Sequence, residues 1–287
     1  MVKFRGRNNF KIKMNKILVP TDFSEEAEGA LKIAAQIAGA HDCDIYLLHI
    51  LDIPLYETDA VTATPDVPDF MFFMKMAKER LQELVNRDYL KGISVQKVVK
   101  VDVTFNHMAE ISKEYQVDLI IMGSHGASGL HEMFIGSNAE KVVRTSEIPV
   151  LVIKDKHDEF EVRDMVFASD FIKDNKETYK QATKIAEKFG AQLHLLMVNT
   201  PSNFTTTAKA NELIKAFTAN YTYHNQTVTI YNDETIEKGI LNFSNEIDAD
   251  LIGISTHGKQ GIAHFFNGSI SEDLVNHAKR PVMTFKI

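Results

Sequence analysis

The chain has 287 residues, 44% of them hydrophobic and 25% charged, with one cysteine and a net charge of −7. That length suits two domains with separate cores, the composition is that of a globular protein, and a lone Cys43 excludes an intramolecular disulfide and fits a reducing compartment. No apolar run reaches the roughly 18 residues that a membrane-spanning helix needs, and no signal-peptide core is present, so a cytoplasmic location without a membrane partner is expected.

Residues 1–13 carry Lys3, Arg5, Arg7, Lys11 and Lys13 and no acid, so the rest of the chain is more acidic than the total. Such a body disfavours nucleic acid, whose phosphates need clustered Lys and Arg. The leader reads as a disordered tail, or as residues ahead of a start at Met14, in preference to a nucleic-acid arm.

Lys16 to Pro20 reads as a short buried strand that ends in the acidic turn Thr21-Asp22-Phe23. Ala27, Ala30, Leu31, Ala34, Ile37 and Ala38 then recur at helical spacing. A strand over Ile45–Ile50, a helix over about 70–90 and a strand over Val95–Val101 follow. Next comes Asp118-Leu-Ile, a strand that runs into Gly123-Ser-His125-Gly126, then Gly129, and then Gly136-Ser137 at the start of an amphipathic segment. Pro149 and a strand to Ile153 close the half, and Lys154–Arg163, charged and aperiodic, is the expected linker.

The same series then repeats. Met165–Phe171 matches the first strand and acidic turn at an offset of 148 residues, Tyr179, Ala182, Ile185, Ala186 and Phe189 match the helix, and Leu193–Val198 matches the second strand. A helix over about 204–219 and a strand over Val228–Tyr231 come next. From Asp250 onward the offset is 132: Ser255-Thr-His257-Gly258, Gly261, Gly268-Ser269, then Pro281 and a last strand. The first half therefore holds 16 extra residues, assigned to Asp52–Asp69 ahead of the Phe70–Met74 cluster. That cluster reads as helix core, with a lid or dimer contact as the other reading.

Alternating strands and helices with short connections imply a parallel sheet covered on both faces. Ligands of such sheets bind at the carboxyl ends of the strands, where strand order reverses. There Asp22 suits ribose hydroxyls, backbone near Ile50 suits an adenine edge, and the glycines with the helix opening at Gly136-Ser137-Asn138 suit phosphate. Plainer readings stand beside these. The glycines make a tight turn in any case, Asp22 can serve the following helix dipole, and Ser137-x-x-Glu140 and Ser269-x-x-Glu272 have the form of capping boxes. His125 and His257 lack partners at zinc-ligand spacing.

Pro20-Thr-Asp-Phe-Ser24 together with Gly123-x2-Gly126-x9-Gly136-Ser137 resembles the universal stress protein family, and the resemblance covers nearly the whole chain twice. It implies two doubly wound five-stranded parallel sheets of order 3-2-1-4-5, of the adenine nucleotide alpha hydrolase-like type. The implied units are 14–154 and 164–287 around a linker at 155–163, packed through their last strands as a pseudo-dimer, with homodimerisation as a further implication. The implied ligand is ATP or a related adenine nucleotide, alone or with Mg. Carried over to this chain, the site is Pro20, Thr21, Asp22, Ile50, Met122, Gly123, His125, Gly126, Gly136, Ser137 and Asn138. Its counterpart is Ser169, Asp170, Val198, Ser255, His257, Gly258, Gly268 and Ser269.

The second set departs from the pattern. Pro20 is replaced by Ala168, Gly123 by Ser255 and Asn138 by Ile270. If the first glycine needs a positive φ, Ser255 adds strain that a folded domain can absorb, and its Cβ can fill phosphate space, with Lys259 as a charge in compensation; the first half is therefore the expected nucleotide binder, and binding by the second stays open. The expected function is a regulatory or protective ATP-binding module of a stress response. A weak nucleotide hydrolase and a nucleotide-free interaction module are the alternatives. No Walker, pyrophosphatase or adenylyltransferase signature is present.

Overall fold

A computed structural model describes residues 14–51, 67–101, 105–124, 136–154, 159–171, 176–219, 223–256, 274 and 277–286. In the first half, β1 (Lys16–Pro20), α1 (Glu25–His41), β2 (Asp44–Leu51), α2 (Val67–Val85), β3 (Val95–Val101), α3 (Met108–Tyr115), β4 (Leu119–Gly123), α4 (Ser137–Thr145) and β5 (Val150–Ile153) follow in order. In the second, β6 (Asp164–Ala168), α5 (Lys176–Phe189), β7 (Gln192–Asn199), α6 (Thr207–Thr218), β8 (Gln226–Asn232), α7 (Ile236–Glu246), β9 (Leu251–Thr256) and β10 (Val282–Lys286) repeat the series.

All these strands join one ten-stranded sheet of order β3-β2-β1-β4-β5-β10-β9-β6-β7-β8. Each half has the order 3-2-1-4-5, and every pairing inside a half is parallel. The halves meet where β10 pairs antiparallel with β5, with Val282 opposite Val152, Met283 opposite Leu151 and Thr284 opposite Val150. The duplicated chain is thus a pseudo-dimer held by its last strands.

Inner strands such as β1, β4 and β5 are buried on both faces, as cover by helices on each side requires, whereas the edge strands β3 and β8 carry exposed residues. Ile17 and Val19 face one core cluster with α1 and α5, while Leu18 faces the other with α3, α4 and α7. All the α1 residues expected to form its inner face are buried, with Ile33 and Ala35 in addition. Ser24 caps α1 by accepting from the Ala27 N–H at 3.2 Å, and Glu25, Glu26 and Glu28 complement the helix dipole.

Some boundaries differ from the periodic reading. The helix expected over 70–90 stops at Val85, and a separate 3-10 turn spans Asp88–Leu90. The one expected over 204–219 is α6, entered through a 3-10 turn at Pro201–Asn203 and capped by Thr206. Helices α3 and α7 fall where the sequence reading assigned none; each is short enough for its periodicity to be hidden between a strand and a loop. The segment read as a linker packs down: Val162 is buried, and the Phe160 N–H donates to Gln36 Oε1 of α1 at 2.7 Å. The leader 1–13 and residues 52–66 of the assigned insertion lie outside the described residues.

Candidate functional site

At the carboxyl edge of the first half's strands, β1 and β4 part company because their connecting helices leave on opposite faces. The cleft between them is lined by Pro20, Thr21 and Asp22 of the first turn, Met122, Gly123 and Ser124 at the end of β4, and Gly136, Ser137 and Asn138 at the start of α4; Phe105 closes one side. Its enclosed volume is about 70 Å³. That is well short of the roughly 300 Å³ of a small ligand pocket, so anything as large as a nucleotide would extend across the mouth.

The acidic turn is built by local hydrogen bonds. Thr21 N–H continues the sheet by donating to the Leu48 carbonyl at 2.8 Å, and the Thr21 hydroxyl accepts from Phe23 N–H at 3.0 Å. Phe23 adopts φ +67°, a conformation that bulky residues seldom take, and this swings the chain out of β1. Asp22 Oδ1 then accepts from both the Ser24 N–H (3.0 Å) and the Ser24 hydroxyl (2.6 Å). One carboxylate oxygen of Asp22 therefore orients the α1 cap, so the helix-start reading of this residue holds alongside its place on the cleft.

His49 supports the turn from β2. Its Nδ1 lies 2.8 Å from the Thr21 carbonyl oxygen, and because a carbonyl only accepts, this nitrogen carries the proton. The His49 ring packs on Phe23 at 4.4 Å between centroids, and the Arg80 guanidinium lies 5.4 Å from the centroid of the same Phe23 ring. Burial, with a smaller push from Arg80, holds the His49 pKa below the ordinary value against the opposing pull of the Thr21 carbonyl and Asp22. Ile50 follows. Leu48 directs its carbonyl to β1, and backbone groups two residues apart in a strand point the same way. The Ile50 N–H and C=O therefore face the side from which β1 has turned away.

Gly123 is needed for a reason other than an anion. A Cβ there would lie 2.9 Å from the Glu26 carbonyl oxygen of α1, closer than real contacts allow, and its φ is not positive. The glycine lets the first turn of α1 cross the end of β4. Beyond it, Ser124 N–H donates to Ile153 O at 2.9 Å, and Ser124 O accepts from Gly136 N–H at 2.7 Å, which brings the start of α4 back to the cleft. Gly136 is the N-cap of α4, and among the described residues no side chain caps that end. Ser137 is the first helical residue, so the capping-box reading of Ser137 and Glu140 is corrected: Glu140 pairs with Arg144 at 3.1 Å. The α4 start thus presents backbone N–H groups and the positive end of the helix dipole to the cleft. Both Ser137 and Asn138 are exposed there.

The second half repeats the frame and fills it differently. Ser169 N–H donates to Leu196 O at 3.0 Å, the Ser169 hydroxyl accepts from Phe171 N–H at 3.0 Å, and Phe171 takes φ +56°. Here Asp170 is buried, whereas Asp22 is half-buried. Phe171 is also buried, with its ring 5.3 Å from that of Phe217 in α6. Val198 is buried and tight against α7, where a Cβ on Gly239 would meet its Cγ1 at 2.5 Å. Met197 stands at the place of His49.

Ser255 corrects the expectation placed on it. It needs no positive φ, and its hydroxyl lies 2.8 Å from the Thr178 hydroxyl of α5, both side chains being fully buried, so it packs under the helix and not into phosphate space. His125, Gly126, His257, Gly258, Gly268, Ser269, Ile270 and Lys259 lie outside the described residues. Among the described residues no three His, Cys, Asp or Glu side chains form a group able to hold a metal ion. Nor is any described helix long and apolar enough to cross a membrane.

Two doubly wound halves joined through their last strands, one with an open cleft at its switch point, define a tandem α/β protein. A profile of the universal stress protein family matches residues 13–154 and 161–286, and the chain belongs to that family. Among its relatives are universal stress protein MJ0577 of Methanocaldococcus jannaschii, 31% identical over 159 residues that cover 51% of this chain and 98% of that protein. Universal stress protein YxiE of Bacillus subtilis is 30% identical over 146 residues, 49% of this chain and 99% of its own. Single-domain relatives thus account for half of the chain each. The crystal structure of a universal stress protein from Archaeoglobus fulgidus shares the fold over the full length, with a TM-score of 0.71, 23% identity, and 96% and 97% of the two chains covered.

Proposed function

We propose that the first half binds ATP or a related adenine nucleotide, and that the protein acts in a stress response as a regulatory or protective binding module. The observation that carries this reading is the meeting of the Asp22 turn, the end of β4 and the α4 N-terminus on one cleft; Ile50 does not line that cleft, but its backbone faces the side that β1 vacates. The chemistry of the three groups differs in the order a nucleotide requires. Asp22 accepts from ribose hydroxyls, Ile50 meets the base, and the N–H groups opening α4, with Ser137 and Asn138, receive phosphate. The residues fit such a ligand because, among the described residues, no N-cap side chain takes the α4 N–H groups.

The second half supports a weaker or absent site. Its acidic turn is buried under aromatic packing, and the counterpart of Ile50 is covered. The domain limits 14–154 and 164–287 are part of the same proposal, as are binding without catalysis and a cytoplasmic setting.

A native-state ligand at free concentration L stabilises the fold by RT ln(1 + L/Kd), so its effect on the melting temperature keeps growing with ligand concentration above Kd. ATP at about 100 times its Kd should stabilise the protein by ~2.7 kcal/mol, with Asp22→Ala losing most of that shift and the Gly136 amide moving in NMR spectra. An unchanged melting temperature at millimolar ATP, together with no nucleotide released by acid from the purified protein, would leave the nucleotide-free interaction module as the better reading.

A further inference from the structure

In a parallel ladder, once Thr21 N–H has bonded to Leu48 C=O, the next bond runs from Ile50 N–H to the Thr21 carbonyl. That bond is not formed. The Thr21 carbonyl is taken by the His49 side chain from the opposite face of β2, at 2.8 Å, while the chain leaves through the positive φ of Phe23. Thr21 is buried, so its carbonyl requires a donor, and the imidazole supplies it without using the Ile50 amide.

We propose that His49 is a positioning residue for recognition of the nucleotide base: by holding the Thr21 carbonyl, it keeps the acidic turn in place and leaves the Ile50 N–H, on the side that β1 vacates, as a donor to a ring nitrogen. The inference rests on the nucleotide reading above and assigns a role to a residue outside the cleft lining. Three surroundings fit it. Phe23 packs on the ring at 4.4 Å between centroids, tilted by 43°. Burial keeps the imidazole neutral, with its one proton on the nitrogen that faces Thr21. The charged groups facing it are Asp22 from the turn and Arg80 from α2, and they act in opposite senses. The second half serves as an internal contrast: Met197 offers no donor there, and Val198 is buried.

The test measures binding of ATP and of inorganic tripolyphosphate, which carries the phosphate charge without a base, to the full chain by calorimetry. His49→Met should weaken ATP about tenfold, equivalent to ~1.4 kcal/mol, and change tripolyphosphate affinity by no more than about twofold. His49→Asn places an amide N–H near the Nδ1 position and should restore ATP binding to within about threefold. Unaltered ATP affinity in His49→Met, equal loss of both probes, or an Asn variant no better than Met would each overturn the assignment. Wild-type protein that takes up neither probe would instead sink the nucleotide reading itself, and this inference with it.

Discussion

Ser255 Oγ of β9 and Thr178 Oγ1 of α5 sit 2.8 Å apart in a fully buried pair, at the position where the first half has Gly123 beneath Glu26. The two halves solve the same packing problem in different ways. In one, a helix backbone carbonyl crosses the strand end and excludes any side chain. In the other, a hydroxyl pair fills the space. The loss of that glycine therefore reflects the fit of helix on sheet, and says little by itself about phosphate.

The pair has a measurable coupling. Ser255→Ala leaves the Thr178 hydroxyl buried without this partner, at a cost of about 1–2 kcal/mol. A cycle with Thr178→Val should return a coupling of about 0.5–1.5 kcal/mol from denaturant midpoints. Strict additivity would show that the two hydroxyls do not interact.

The opposite replacement should be worse. Gly123→Ser sets a Cβ against the Glu26 backbone, which cannot rotate aside as a side chain can. Overpacking of this kind costs about 1–3 kcal/mol, and urea denaturation should show it even with no ligand present. A neutral Gly123→Ser would mean that the first turn of α1 shifts freely, and that the glycine serves something other than packing.

Much of this architecture is legible in the residues alone, because duplication gives each element a second reading. Lys16–Pro20 and Asp164–Ala168 identify each other as β1 and β6, and the α1 face from Ala27 to Ala38 follows from spacing. Helices α3 and α7 were hidden for want of length, and the end of α2 at Val85 follows from the 3-10 turn that succeeds it. At the site, Asp22 and the Gly136-Ser137 helix start were legible as types of residue in a pattern. His49 was not, since a histidine inside an apolar strand gives no sign of which carbonyl it will meet. Nor was the buried state of Asp170, or the contact of Phe171 with Phe217 across two elements. Tertiary contacts of this kind leave no periodic trace.

Two histidines should make stability depend on pH near neutrality. Burial lowers the pKa of His49, with Arg80 adding to it, and burial followed by Lys188 lowers that of His41, both from 6.5. The unfolded chain therefore binds protons more strongly than the folded one at these positions. Their contribution is complete above about pH 6.5 and is lost as pH falls through the lower folded values. Thermal midpoints recorded from about pH 8 down to about pH 5 should hold steady and then drop, with His49→Asn and His41→Asn each flattening the drop. Midpoints that rise on acidification over this interval would contradict the sign.

The seam between the halves should make them unfold together. Leu151 of β5 and Met283 of β10 are opposed in the antiparallel pairing and fully buried, and one core cluster runs from Leu151 and Ile153 through to Met165, Phe167 and Phe285. Scanning calorimetry of the intact chain should give one transition. Leu151→Ala should lower it by about 2–5 kcal/mol without dividing it. Leu151→Asp places a carboxylate in the apolar seam with no cation opposite it, a cost that the three residue pairs joining β5 to β10 cannot offset. Its trace should split into two transitions, one for each half. Two transitions already present in the wild-type chain would show instead that each half is held by its own helices and that the ten-stranded sheet adds little to either.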